Sequence, residues 1–152
     1  QQIKEIILTA KKEIYINLAM DINIIKEELY KAFEKNVRII IYSFRKIEID
    51  LDKIEKYENL KFDGRNSSKK NIIIVSDLEK GMIANGDKNQ EFMGTYSENP
   101  FFISTLSTNI HFDIYLLKLE NEYKKNLINE KIKINSLLEK NFEEFLNNLD
   151  EK

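Results

Sequence analysis

Lys70-Asn71-Ile72-Ile73-Ile74-Val75-Ser76-Asp77 sets four consecutive β-branched residues between polar flanks. The run is too short for a buried helix and suits a strand covered on both faces. Val37-Arg38-Ile39-Ile40-Ile41-Tyr42-Ser43-Phe44 is a second stretch of the same kind. Ahead of it, Glu13 to Leu18 (Glu-Ile-Tyr-Ile-Asn-Leu) alternates and favours a strand. Asp21 is placed to cap a helix over 22–35, in which Ile22, Ile25, Leu29, Ala32 and Phe33 follow helical spacing. Asn36 suits the end of that helix. Strand, helix and strand with short joints form a βαβ unit, so 13–18 and 37–44 are expected to pair in parallel. The fold class is α/β.

Working outward, residues 3–12 read as a short helix. Residues 50–58 read as a charged helix or turn, 60–62 as a brief strand and 64–68 as a polar loop. A turn follows at 77–80, then strands at 81–84 and 91–96 around a loop at 85–90. Asn85-Gly86-Asp87 is the turn signal in that loop. Asn99 caps a helix that opens on Pro100, with Ile103, Leu106, Ile110, Ile114 and Leu117 on one face. A last helix is expected over 127–149, with Ile134, Leu138, Phe142, Phe145 and Leu149 on one stripe. No internal repeat or Gly/Ser linker divides the chain.

At 152 residues, 42% of them apolar, the chain is long enough for one domain with a real core. Charged residues make up 33% with both signs interspersed, which excludes a disordered segment. A net charge of −2, with arginine limited to Arg38, Arg45 and Arg65, argues against direct contact with nucleic acid. There is no cysteine, hence no disulfide framework or thiolate metal site, in keeping with a cytoplasmic location. The apolar runs fall far short of the ~20 residues that cross a bilayer, so no membrane role is expected. The first residue is Gln1 rather than Met, which suggests a fragment or a trimmed chain. The abundance of Ile, Lys and Asn fits an AT-rich coding sequence.

Several polar residues admit both a functional and a structural reading. Asp77, after a β run, suits a site carboxylate or a turn. Ser97 and Asn99 suit ligand contacts or helix caps, and the two roles are compatible, because a helix start offers free N–H groups. Arg45 follows the 37–44 strand, at the end where open α/β sheets bind ligands, or is a surface charge. Glu48, Asp50 and Asp52 fall on one side of an extended chain and read as a solvated face rather than a metal site. His111, the sole histidine, lies inside a predicted helix and reads as a packing residue. The seven Tyr and nine Phe are core residues first. No Walker loop and no GxGxxG is present.

The order of these pieces resembles a known frame. In the phospholipase D superfamily a His-x-Lys pair, an Asp a few residues on, and a later Ser-x-Asn form a half-site for phosphodiester cleavage. Asp77 and Ser97-x-Asn99 fit that frame, but Lys70 stands at the histidine position and Ile72 at the lysine position. Lys11-Lys12-Glu13-Ile14-Tyr15-Ile16, Asn36 to Ile41, Ile73 to Asp77, Ser97-Glu98-Asn99-Pro100 and His111 to Leu116 also resemble the C-terminal domain of TrmB-type transcriptional regulators. That likeness spans roughly residues 3–120. It implies a catalytically degenerate, phospholipase D-like α/β fold, with a mixed, largely parallel sheet flanked by helices and an added C-terminal helix. It divides the chain into the end of a linker helix (1–12), an effector-binding domain (13–122) and a C-terminal packing or dimerisation helix (123–152).

The function so implied is effector sensing and dimerisation. A small molecule, in some family members a sugar, would modulate DNA binding by a winged helix-turn-helix that lies outside this segment. The candidate ligand-binding residues are Arg45, Asp77, Tyr96, Ser97 and Asn99, in a cleft near the ends of the 37–44 and 71–76 strands and the start of the 99–122 helix. The expected partners are a second copy and the effector. No catalytic residue, metal or cofactor is expected. The alternatives are a residual phosphodiesterase using His111, and a purely structural dimerisation domain.

Overall fold

The computed structural model describes residues 1–52, 54–61, 70–86 and 92–140. The chain divides into two compact units, Gln1–Tyr115 and Leu116–Lys152. The elements are α1 (Gln2–Thr9), β1 (Glu13–Ala19), a 3-10 turn (Ile22–Ile24), α2 (Lys26–Glu34), β2 (Arg38–Ser43), β3 (Glu55–Glu58), β4 (Lys70–Ser76), β5 (Lys80–Gly86), β6 (Met93–Ser97) and α3 (Pro100–Tyr123).

The strands form one mixed sheet in the order β3-β2-β1-β4-β5-β6. β1 pairs with β2 in parallel, as the βαβ reading requires, and β2 pairs with β3 in parallel. On its other side β1 pairs antiparallel with β4, and β5 and β6 continue that meander. The mixed α/β class with flanking helices is thus as expected. Parallel pairing holds the β1–β3 half of the sheet and antiparallel pairing the rest.

β1 is central, and its interior residues are buried on both faces. Ile14, Ile16 and Leu18 join Ile39, Ile41, Ile72 and Ile74 in one core with Ile3, Ile6 and Ile7 of α1 and Leu29 and Ala32 of α2. Tyr15 and Asn17 point the other way, toward α3. There the Tyr15 ring meets His111 edge-on at 4.8 Å, and Asn17 Nδ2 donates to Asp113 at 2.9 Å. Gly81 lets α3 approach closely, since a Cβ there would lie 3.2 Å from Leu106 Cδ1.

Several expectations need correction. The 22–35 helix begins as a 3-10 turn and becomes α-helical at Lys26. Asp21 caps the 3-10 turn by accepting the Asn23 N–H. The charged stretch at 50–58 yields a strand at Glu55–Glu58 rather than a helix or turn. Alignment with β2 explains it, because Arg38 of β2 forms a two-bond ion pair with Glu55 at 2.6 and 2.8 Å. Leu60 and Lys61 form a turn, so no strand starts at 60, while Phe62 and the 64–68 loop lie outside the described residues. Asn85 and Gly86 belong to β5 and pair across to β4 instead of turning.

The helix expected over 127–149 does not begin at 127. Asn126 and Asn129 each bend the chain by accepting an N–H from the residue two places on. The helix starts only at Leu137, behind a capping box, with Ser136 Oγ accepting the Glu139 N–H and Glu139 accepting the Ser136 N–H. Ile134 and Leu138 are exposed, and Phe142, Phe145 and Leu149 lie outside the described residues.

Gly94 of β6 is exposed, yet a Cβ there would sit 2.7 Å from the Ile83 carbonyl oxygen. Gly94→Ala is therefore expected to destabilise the chain by ~1–3 kcal/mol in urea unfolding, far more than an ordinary surface change.

Candidate functional site

The two ends of the sheet differ in kind. At one end β1 and β2 stop side by side, with Leu18 opposite Ser43. The segments that follow them, 20–23 and 43–48, line a recess of about 90 Å³. Its polar lining comes from Asp21, Asn23, Ser43, Arg45, Lys46 and Glu48. Ser43 is fully buried, and its Oγ accepts the Arg45 N–H at 3.0 Å, which fixes the turn that carries Arg45. Asn59, just past β3, donates its N–H to the Ser43 carbonyl at 2.8 Å and its Nδ2 to the Tyr42 hydroxyl at 3.0 Å. Its Oδ1 is buried with no hydrogen-bond partner among the described residues.

The opposite end is closed by hydrogen bonds within the chain. Asp77 follows β4 in a left-handed conformation, φ 54°. Its carboxylate accepts the N–H groups of Lys11, Lys12 and Glu13 at 2.9, 2.7 and 3.0 Å. Burial pushes its pKa up, but the three backbone donors outweigh burial and hold it below the usual carboxylate range. Asn99 Oδ1 accepts the N–H groups of Phe101 and Phe102, and Ser97 Oγ accepts that of Asn99. These two side chains cap α3. The Tyr96 hydroxyl donates to Glu98 at 2.6 Å; that bond, with some burial, pushes its pKa up to about 12. Tyr96 also lines a separate recess of about 180 Å³ with Glu5, Ile6, Thr9 and Lys80, where Lys80 Nζ donates to Thr9 Oγ1 at 3.2 Å.

The structure therefore brings Asp77, Tyr96, Ser97 and Asn99 to one end of the sheet and Arg45 to the other. A single cleft joining the ends of the 37–44 and 71–76 strands does not form. Those strands run in opposite directions because β4 is antiparallel to β1, so their C-terminal ends lie at opposite edges. Lys70 opens β4 at the Arg45 end, and Ile72 is fully buried in the core on the α1–α2 face. Glu48 and Asp50 point outward while Ile47 and Ile49 point in, as alternation requires. Among the described residues no group of three or more His, Cys, Asp or Glu is arranged to hold a metal.

His111 lies in α3 with Nδ1 2.6 Å from the Ser107 carbonyl, beneath Tyr15. The Tyr15 hydroxyl donates to Glu13; burial first, then that bond, push its pKa up to about 12. Asp113 is shifted up by burial, opposed in part by the Asn17 amide. The sequence reading passed over Asn17, Asn59 and Asp113. The signal for Asn17 was a lone amide inside an apolar strand, and Asp113 is the first charged residue of α3.

Open α/β sheets commonly bind ligands where their parallel strands end, and the polar recess lies there. Residues 1–115 match the family described as transcriptional regulator TrmB, EBD N-terminal subdomain, where EBD stands for effector-binding domain, and the chain belongs to that family. Comparison with curated proteins gives no match. Among the described residues no helix is long and apolar enough to cross a membrane.

Replacing Asp77 by Ala leaves three backbone N–H groups without their acceptor, with an expected cost of ~1–3 kcal/mol at neutral pH. The folded-state pKa is depressed. The contribution is thus complete above the unfolded value of ~3.9 and is lost as pH falls through the folded one. Urea unfolding of both proteins from pH 7 to pH 3 should show the gap between them closing in acid.

Proposed function

We propose that this chain senses a small polar molecule, of the sugar or sugar-phosphate class, for a TrmB-type regulator, and that it works as a homodimer in the cytoplasm. The observation that carries the reading is the convergence of 20–23 and 43–48 on one recess. There an arginine, a lysine, two carboxylates and an amide surround the ends of two parallel strands. Donors and acceptors so mixed suit a ligand rich in hydroxyl groups. At about 90 Å³ the recess is smaller than the ~300–1,000 Å³ of a complete small-molecule site, so it would grip one edge of the ligand. The recess beside α1 is larger and is lined by Gln2, Glu5, Ile6, Thr9, Lys80 and Tyr96, away from the ends of the parallel strands.

Binding would alter DNA affinity only through unequal affinity for two arrangements of the dimer, and a coupling of ~1–3 kcal/mol suffices for a useful switch. The domain acts without catalysis in this reading. The bond from His111 Nδ1 to the Ser107 carbonyl and its packing under Tyr15 support a structural role.

Thermal-shift and calorimetric screening with glucose, lactose and glucose 6-phosphate should find a stabilising compound. Arg45→Ala and Glu48→Ala should each weaken its binding by ~10-fold or more, with Tyr96→Phe unchanged. Binding lost in Tyr96→Phe and kept in the other two would move the site to the α1 recess. With bis(p-nitrophenyl) phosphate, turnover should not exceed the buffer rate; hydrolysis that disappears in His111→Ala would contradict the non-catalytic reading.

A further inference from the structure

Ser43 closes β2 and is fully buried, yet it lines the recess at the β1–β2 edge. Ile39 and Ile41 alternate with it onto the face of the sheet that carries α1 and α2, where Leu18 and Met20 of the recess also lie. Its backbone is held from both sides. The Asn59 N–H donates to the Ser43 carbonyl at 2.8 Å, and the next residue, Phe44, donates its N–H to the Leu18 carbonyl of β1 at 3.2 Å. A serine hydroxyl can accept twice and donate once. Here Oγ accepts the Arg45 N–H at 3.0 Å, and among the described residues nothing accepts its proton. A buried donor left unused is costly and calls for an explanation.

We infer that this hydroxyl donates to a phosphate oxygen of the effector, so that the recess takes a phosphorylated small molecule and grips it by the phosphate. The inference rests on the reading of the β1–β2 recess as the effector site, and it names the group bound there. Arg45 and Lys46 follow on the same short segment and also line the recess, so one wall carries a hydroxyl donor and two positive charges. A neutral sugar hydroxyl donates as well as accepts, whereas a wall of donors suits an oxygen that only accepts. A phosphate presents three such oxygens, and hydrogen bonds to an ionised acceptor are about twice as strong as neutral ones. The carboxylates stand apart from this wall. Asp21 belongs to the other segment, with its Oδ1 engaged by the Asn23 N–H at 2.9 Å, and Glu48 points outward. They are left for hydroxyl groups on the rest of the ligand. At about 90 Å³ the recess suits one compact group rather than a whole sugar ring. Strand pairing holds Ser43 in place before the ligand arrives, which spares the cost of ordering it on binding.

Inorganic phosphate is the probe. Titrated into the isotopically labelled chain at constant ionic strength, it should shift the backbone amides of 43–46 saturably, and chloride should not. Ser43→Ala should weaken phosphate binding by ~10-fold or more and remove any preference for glucose 6-phosphate over glucose. Lys46→Ala should weaken it several-fold with the melting temperature kept, since Lys46 is exposed. Lys80→Ala, in the recess beside α1, should change nothing. Ser43→Ala also takes the acceptor from the Arg45 N–H. If that variant fails to fold, the wild-type shifts and Lys46→Ala decide. A Ser43 that is only structural would lower the melting temperature in Ser43→Ala and leave phosphate affinity intact, which overturns the inference. So does an edge that responds to glucose or lactose at 20–23 and 43–48 and gives no saturable shift with phosphate; the recess reading then stands. An edge silent toward phosphate, both sugars and glucose 6-phosphate overturns both.

Discussion

Everything in the sheet follows from β1 pairing in opposite senses on its two sides. Parallel pairing with β2 brings two strand ends and the loops after them to one edge. Antiparallel pairing with β4 sends the end of β4 to the other edge, where Asp77 meets the start of β1. The two edges acquire different tasks. At the Asp77 edge, backbone N–H groups that would otherwise face solvent are held by Asp77, Ser97 and Asn99. At the Arg45 edge the loops leave a recess lined by both signs of charge.

In the proposed reading, a ligand gripped by 20–23 and 43–48 pushes on the segment that leads into α2. Lys4 of α1 reaches Glu28 of α2 at 2.9 Å, and both helices share the core above β1. Burial opposes the charge on Glu28, but the Lys4 ammonium and neighbouring donors hold its pKa below the usual range. The segment that follows α1 is held in turn by the N–H groups of residues 11–13 donating to Asp77. A displacement of α2 would therefore be felt at α1 through the Lys4–Glu28 pair and the shared core.

The βαβ start, the apolar strand at 71–75 and the capped helix at Pro100 were legible because each combines a strong period with its own start or stop signal. The strand at Glu55–Glu58 was not, since Glu-Lys-Tyr-Glu has no apolar pattern and is recruited by the edge of β2 and by Arg38. The capping box Ser136-Leu137-Leu138-Glu139 was written in the sequence and outweighed by a longer apolar spacing that the two asparagine turns interrupt. For the site, residue types were readable and placement was not. Asp77 and Arg45 both follow buried strands, and the sense of one pairing, invisible in sequence, sets them at opposite edges. Asn17 and Asp113 needed each other to be noticed, and they are joined only by the fold.

The central claim is that the effector is held where β1 and β2 end. The most direct measurement is a titration of the isotopically labelled chain with the stabilising compound, following backbone amides by NMR. The account predicts that the largest shifts fall in residues 20–23 and 43–48, with those of 11–13 and 97–101 nearly still. Shifts concentrated on α1 and Tyr96, with the β1–β2 edge unmoved, would contradict it.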